Sequence, residues 1–170
     1  MSSRRAILAL PALALAGCGF RPLHGERAEG ARVSAGLETI RVGVIPERGG
    51  QIMRRQLEER LGSGGALPRY DLRVGLAYGI ELQGFERDGT PSRVRTTATA
   101  NWFLFDTNVP PRLVARGTER AFDAYNIPEN QFFAGEASRQ AMERRLLEQL
   151  SEDIVRRLAI RFEGGPPQAG

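Results

Sequence analysis

The sequence predicts an α+β fold: a four-stranded sheet in β-α-β-β-β-α order with two helices packed on one face. Three observations predict it. Apolar residues alternate with polar or small ones from Tyr70 to Leu82, the period of a strand with one buried face. Met142, Leu146, Leu150, Ile154 and Leu158 recur every fourth residue, the period of an amphipathic helix. Turn residues at Asp88-Gly89 and at Asn108 to Pro111 divide the middle of the chain into successive strands.

The domain is expected over residues 38–162. Ile40, Val42 and Val44 alternate within 38–45, giving a first strand that Pro46 ends. Gly49 and Gly50 follow, between this strand and the next helix. Ile52, Met53, Leu57 and Leu61 then fall at helical spacing up to Gly62. No Gly-Lys-Ser/Thr follows these glycines, so they do not form a phosphate loop. In the second strand Tyr70, Leu72, Val74, Leu76, Tyr78, Ile80 and Leu82 share one face. The third strand, 94–105, is rich in Thr and aromatics. A weaker fourth strand covers 113–122, and a long helix runs from about Ala134 to Phe162. In that helix Glu152–Arg156 and Asp153–Arg157 have the acid-first spacing that favours i,i+4 pairs. With the helices on one face, the other side of the sheet stays open and shows Thr, Asn, Arg and some aromatics.

Outside the domain the chain reads differently. Arg4 and Arg5 precede an apolar stretch, 6–16, too short to span a bilayer, which is the layout of a secretory signal peptide over residues 1–17. Leu15-Ala16-Gly17-Cys18 resembles the bacterial lipobox. That resemblance implies a diacylglycerol on the Cys18 thiol, cleavage before Cys18 and an acyl chain on the new amine. Several acyl chains anchor stably where one binds only marginally. Gly19 stands where an Asp would retain enteric lipoproteins in the inner membrane, so the same comparison implies the outer membrane. Residues 18–37 carry Gly, Pro and charges without periodicity and are expected to be a flexible tether. Residues 163–170, with Gly-Gly-Pro-Pro, are expected to be a disordered tail.

Composition narrows function. Cys18 is the only cysteine, which excludes an internal disulfide, a cysteine metal site and a thiol catalyst. His24, the only histidine, lies in the expected tether, where no rigid scaffold would hold it for catalysis. Glu58–Glu59 and Glu152–Asp153 sit among arginines on helices and read as surface charge. No spacing suits a metal, no cofactor is expected beyond the lipid on Cys18, and the chain is expected not to be an enzyme. The 24 basic residues are all arginine, and the sequence pI is about 10.1. Arginine's planar fork suits phosphate. An exported basic protein meets anionic lipids and lipid phosphates, not nucleic acid.

Two stretches resemble the LPS-assembly lipoprotein LptE family, of the alphaproteobacterial type. One is Cys-Gly-Phe-Arg-Pro-Leu-His-Gly over 18–25, with His24 where Tyr is usual. The other is Phe-Ala-Gly-Glu-Ala-Ser-Arg-Gln-Ala-Met over 133–142, leading into the helix through Leu158. The resemblance implies a plug inside the LptD β-barrel, forming a heterodimer that assembles lipopolysaccharide into the outer leaflet. It also implies lipopolysaccharide contact by a basic residue in the loop between the second and third strands. Here that loop carries Arg87, and Arg93 and Arg95 follow, a candidate grip on phosphate. The competing expectation is that they are solvated hairpin charges, some paired with Glu86 or Asp88. The alternative function is an auxiliary lipoprotein of a phospholipid transport system.

Overall fold

The computed structural model describes residues 23–128 and 131–164. Its elements are α1 (Leu23–Leu37), β1 (Ile40–Val42), α2 (Glu47–Leu61), β2 (Tyr70–Phe85), β3 (Pro91–Asp106), β4 (Leu113–Asn126) and α3 (Phe132–Glu163). The expected signal peptide, the Cys18 lipid site and the tail beyond Gly164 lie outside the described residues.

The expected α+β class and the sheet are present. The strands lie in the order β1-β2-β3-β4, with β1 parallel to β2 and the other pairs antiparallel. A parallel pair needs a crossover, and α2 supplies it. The predicted strands are extended in the structure, β2 to Phe85 and β4 to Asn126, whereas β1 shrinks to three residues.

Three helices are present, not two. The stretch expected to be a tether is helical from Leu23 to Leu37. From Gly30 onward Val33 and Leu37 are the apolar residues that mark its buried side, too few to show a period in the sequence. They suffice because Leu37 is buried in the core and Gly36 lies against the Phe162 ring at the end of α3. The Gly36 carbonyl then accepts from the Thr39 amide at 3.2 Å and the Thr39 hydroxyl at 2.6 Å, turning the chain into β1.

Gly49 and Gly50, expected to precede the helix, form the first turn of α2. A Cβ on Gly50 would lie 2.6 Å from the Ile45 carbonyl oxygen, and one on Gly49 would lie 2.7 Å from the Tyr78 hydroxyl. Close approach, not a turn, explains both glycines. At the other end Gly62 closes α2 with φ 67°, the left-handed cap expected there.

The core lies between the helices and one face of the sheet. Met53, Leu57 and Leu61 of α2 meet Leu146, Leu147, Leu150, Ile154 and Leu158 of α3, over Leu72, Ala98, Ala100 and Leu104. Burying each large aliphatic side chain stabilises the fold by roughly 1.5–3 kcal/mol. The alanines of β3, with Ala121 of β4, keep that floor flat. Ser151, fully buried within this layer, donates to the Leu147 carbonyl at 2.7 Å. Trp102 packs flat on Gly117, where a Cβ would lie 2.6 Å from the indole.

Several charges on the helix side are paired, though not as the sequence suggests. Arg156 reaches Asp153 at 2.9 Å, Arg157 reaches Glu119 of β4 at 3.4 Å, and Glu152 takes Arg60 of α2 at 3.3 Å. The expected Glu152–Arg156 and Asp153–Arg157 pairs are replaced because each partner finds a neighbour one residue nearer along the helix or on another element.

Candidate functional site

The two faces of the sheet differ in how their charges are treated. Odd-numbered residues of β2 and β3 point away from the helices, together with the even-numbered residues of β4 from Arg116 onward. The register sets Arg73 beside Phe103, Thr99 beside Arg120, Thr97 beside Phe122 and Phe103 beside Arg116. The result is an open face carrying Arg73, Arg95, Arg116 and Arg120 among Phe103, Phe105, Phe122 and a polar strip of Thr97, Thr99, Asn101 and Thr118. Asp71 is taken by Arg41 through two bonds of 2.7 and 3.0 Å. Among the described residues none of the four arginines makes an ion pair. Instead the Arg73 guanidinium lies 4.6 Å from the centre of the Phe105 ring, and that of Arg95 lies 5.1 Å from the Phe122 ring. Each such contact contributes on the order of 0.5–1 kcal/mol at an exposed site. It holds the cation flat and leaves its N–H edge free for an anion.

The three predicted phosphate contacts are divided by the structure. Arg93 and Arg95 stand two residues apart on the open face, with the Arg93 guanidinium donating to the Asn126 side chain at 2.9 Å. Arg87 sits in the hairpin turn beyond the sheet. The turn closes through Glu86 N–H to the Thr90 carbonyl at 2.8 Å, and Gly89 has φ 85°. The expected pairing of these arginines with Glu86 or Asp88 does not occur. Asp88 accepts from the Thr90 amide at 2.9 Å and its hydroxyl at 2.7 Å, which hold its carboxyl below the usual range. Arg73, Arg116 and Arg120 are missed by reasoning along one hairpin. Strand parity alone would have placed Arg73 on this face; the other two depend on the bulge between Leu104 and Phe105, which resets the register of β4.

A second feature lies on the helix side. The strands β2 and β3 outrun the helices, so only the first half of the apolar face of β2 is covered. Tyr70, Leu72 and Val74 are buried, while Ile80 is 72% exposed, Leu82 52% and Phe85 64%. Where α3 begins to cover the sheet, a cleft of about 410 Å³ forms between Tyr78, Ile80, Val94, Tyr125, Met142 and Leu146. Glu47 and Glu143 flank the Tyr78 phenol. Burial first, and then these two carboxylates, push the phenol up to about 12. Phe132 and Phe133 at the start of α3 are also exposed, in mutual edge-to-face contact. This end of the molecule, by the hairpin, is apolar and uncovered.

Among the described residues no group of three or more His, Cys, Asp or Glu is placed to hold a metal ion. No described helix is long and apolar enough to cross a membrane.

The LptE lipopolysaccharide-assembly model matches residues 37–158. The chain belongs to the LptE family. Its solved neighbours agree in fold. A putative lipoprotein from Caulobacter crescentus CB15 superimposes with a TM-score of 0.62 at 25% identity, over 80% of this chain and 98% of that one. A minor lipoprotein from Acinetobacter baumannii gives 0.55 at 18% identity, over 73% and 92%. The rare lipoprotein B from Shewanella oneidensis gives 0.54 at 9%, over 71% and 93%. No curated protein matches the chain by sequence. The LptE match begins at Leu37, the last residue of α1. LptE is a non-enzymatic family of lipoproteins, and membership supports a role for this chain in lipopolysaccharide assembly.

Proposed function

We propose that this chain is an outer-membrane lipoprotein, anchored through acyl chains on Cys18, that plugs the LptD β-barrel and assists assembly of lipopolysaccharide into the outer leaflet. One observation carries the reading. The open face carries Arg73, Arg95, Arg116 and Arg120, none of them in an ion pair among the described residues, with Arg73 and Arg95 set against aromatic rings. A plug in a polar barrel lumen needs a folded body with a polar, partly apolar outside. The bare apolar half of β2 and the open face together provide one. Arg87, Arg93 and Arg95 are the proposed contacts to lipid phosphates, by the charge-assisted, forked bonds that arginine makes to such groups.

The test is to purify the chain through a C-terminal tag from detergent-solubilised outer membranes. A stoichiometric large barrel in the eluate, with lipopolysaccharide assembly failing on depletion, is the expected result. Copurification with inner-membrane lipid-transport components and no barrel would replace this reading with that of a phospholipid-system accessory.

A further inference from the structure

The start of β4 and the last turns of α3 border a second cleft, at the edge of the sheet. β4 is the last strand in the order β1-β2-β3-β4, and no described strand pairs beyond it, so the cleft opens outward past its edge. Its volume is about 450 Å³, and its lining includes Trp102, Val114, Arg116, Glu119, Arg157 and Arg161. It lies at the opposite end of the strand from the hairpin. Arg116 is level with Phe103, whereas Asn126 is level with Arg93, roughly 30 Å further along β4 at about 3.3 Å per residue.

Arginines reach this cleft from two elements. Arg157 and Arg161 stand one turn apart on α3, the spacing that sets side chains on one face of a helix. Arg116 comes from the open face of the sheet and borders the same cleft at the strand edge. One carboxylate answers them. Glu119 accepts from the Trp102 indole N–H at 3.4 Å and pairs with Nε of Arg157, also at 3.4 Å. The Glu119 side chain is only 12% exposed, so it is committed to partners inside the fold. The Arg157 contact is made through Nε, and a guanidinium has further donors on its Nη atoms. Among the described residues Arg116 and Arg161 make no ion pair. Three arginines against Glu119 leave an excess of two positive charges in the lining. Trp102 and Val114 are buried and give the cleft an apolar floor. Low polarity beside them strengthens any charge-assisted bond made there.

We infer that this cleft binds a phosphate monoester, gripped by Arg116, Arg157 and Arg161 beside Trp102. The match is in charge and in shape. Such a phosphate carries about −1.5 to −2 charge at neutral pH and three strong acceptor oxygens. Forked guanidinium donors bind these oxygens in pairs. A single carboxylate would answer only half of the excess charge. Free phosphate and the headgroup of a phosphatidic-acid-type lipid offer the same chemistry, and the experiment separates them. The site is distinct from Arg87, Arg93 and Arg95, and it stands or falls without the barrel reading.

Trp102 is the only tryptophan of the chain and lines the cleft, so its fluorescence reads the site directly. The test uses the full lipidated chain in a non-ionic detergent. Inorganic phosphate replaces chloride at constant ionic strength, and mixed micelles holding phosphatidic acid or phosphatidylcholine follow. A saturable change in Trp102 fluorescence with phosphate is expected. Arg116→Gln with Arg161→Gln is expected to weaken it about tenfold or more. The denaturant midpoint of that variant is expected to stay where it was, since neither residue makes an ion pair among the described residues. Arg55→Gln with Arg144→Gln removes the same charge from exposed helix positions outside the cleft and is expected to leave binding intact. Tighter binding of phosphatidic acid than of free phosphate supports the site with a lipid headgroup as its ligand. Equal or weaker binding supports it with free phosphate as the ligand. No response to either phosphate overturns the inference. So does a response that phosphatidylcholine reproduces, one that survives Arg116→Gln with Arg161→Gln, or one lost equally in both double variants.

Discussion

The two halves of β2 share one alternating pattern and have opposite fates. From Tyr70 to Val74 the apolar side chains lie beneath the helices and belong to the core. From Tyr78 to Phe85 the same alternation continues into solvent. The pattern records which way a side chain points. What covers it depends on where α2 and α3 lie, and they stop short of the hairpin. Only the covered half has a structural reason for its apolar residues within this chain. The bare half is the surface that the proposed partner would cover.

The largest expected effect separates the halves by stability. Leu72→Ala removes a fully buried side chain and is expected to cost about 2–5 kcal/mol. Ile80→Ala removes one that is already largely in water and is expected to change stability by less than about 0.5 kcal/mol. Denaturant midpoints check both. The comparison breaks if the two variants are equally destabilised. Copurification of the barrel is expected to follow the opposite order once both variants are folded.

Glycines sharpen the same contrast. Gly117 lies under the Trp102 indole, so Gly117→Ala forces a packed ring aside and is expected to cost about 1–3 kcal/mol. At Gly79, on the projecting half, a Cβ would meet nothing nearer than the Thr97 carbonyl oxygen at 4.0 Å. Gly79→Ala is expected to be neutral or stabilising by about 0.4–1 kcal/mol through loss of freedom in the unfolded chain. Thermal unfolding of the two variants gives the difference in sign.

Replacing Arg87, Arg93 and Arg95 together by Ala is expected to cost no more than about 1–2 kcal/mol, since none makes an ion pair and the losses are the Arg95–Phe122 contact and the exposed Arg93–Asn126 bond. Binding of purified lipopolysaccharide is expected to fall, and to fall further when Arg73 and Arg120 are added. Unchanged binding would remove the open face from lipid contact.

The smallest effect is on pH. The Tyr78 phenol titrates near 12, above its ordinary 10, because of burial and the nearby Glu143 and Glu47. Its contribution to stability is complete below pH 10 and is lost as pH rises toward 12. Tyrosinate absorbance of the chain against Tyr78→Phe is expected to show one late-titrating group. An ordinary titration near 10 would mean that the cleft is open to water around the phenol.

Much of this was legible in the sequence, for identifiable reasons. The alternation of 70–82, the four-residue repeat of α3 and the Asp88-Gly89 turn each follow from a strong local period or a turn residue's geometry. The open polar face followed from having helices on one side only. What was hidden depends on contacts between distant segments. Helix α1 is held by two apolar residues and by Phe162, far away in sequence. Gly49 and Gly50 fell outside the expected helix because their reason for being glycine is Tyr78 and Ile45. The grouping of Arg116 and Arg120 with Arg95 needed the register across the β4 bulge. The phosphate contacts proposed from one hairpin thus formed only part of a larger cationic face.

Site-specific photocross-linking in cells tests most directly the claim that the bare half of the sheet is the partner-facing region. A photoreactive residue would replace Leu82 on the projecting strand, Thr99 on the open face or, as a control, Leu57 in the core. The account predicts adducts to a large outer-membrane barrel from Leu82 and Thr99, and none from Leu57. Folded, membrane-anchored chains that give no barrel adduct from either exposed position would contradict it.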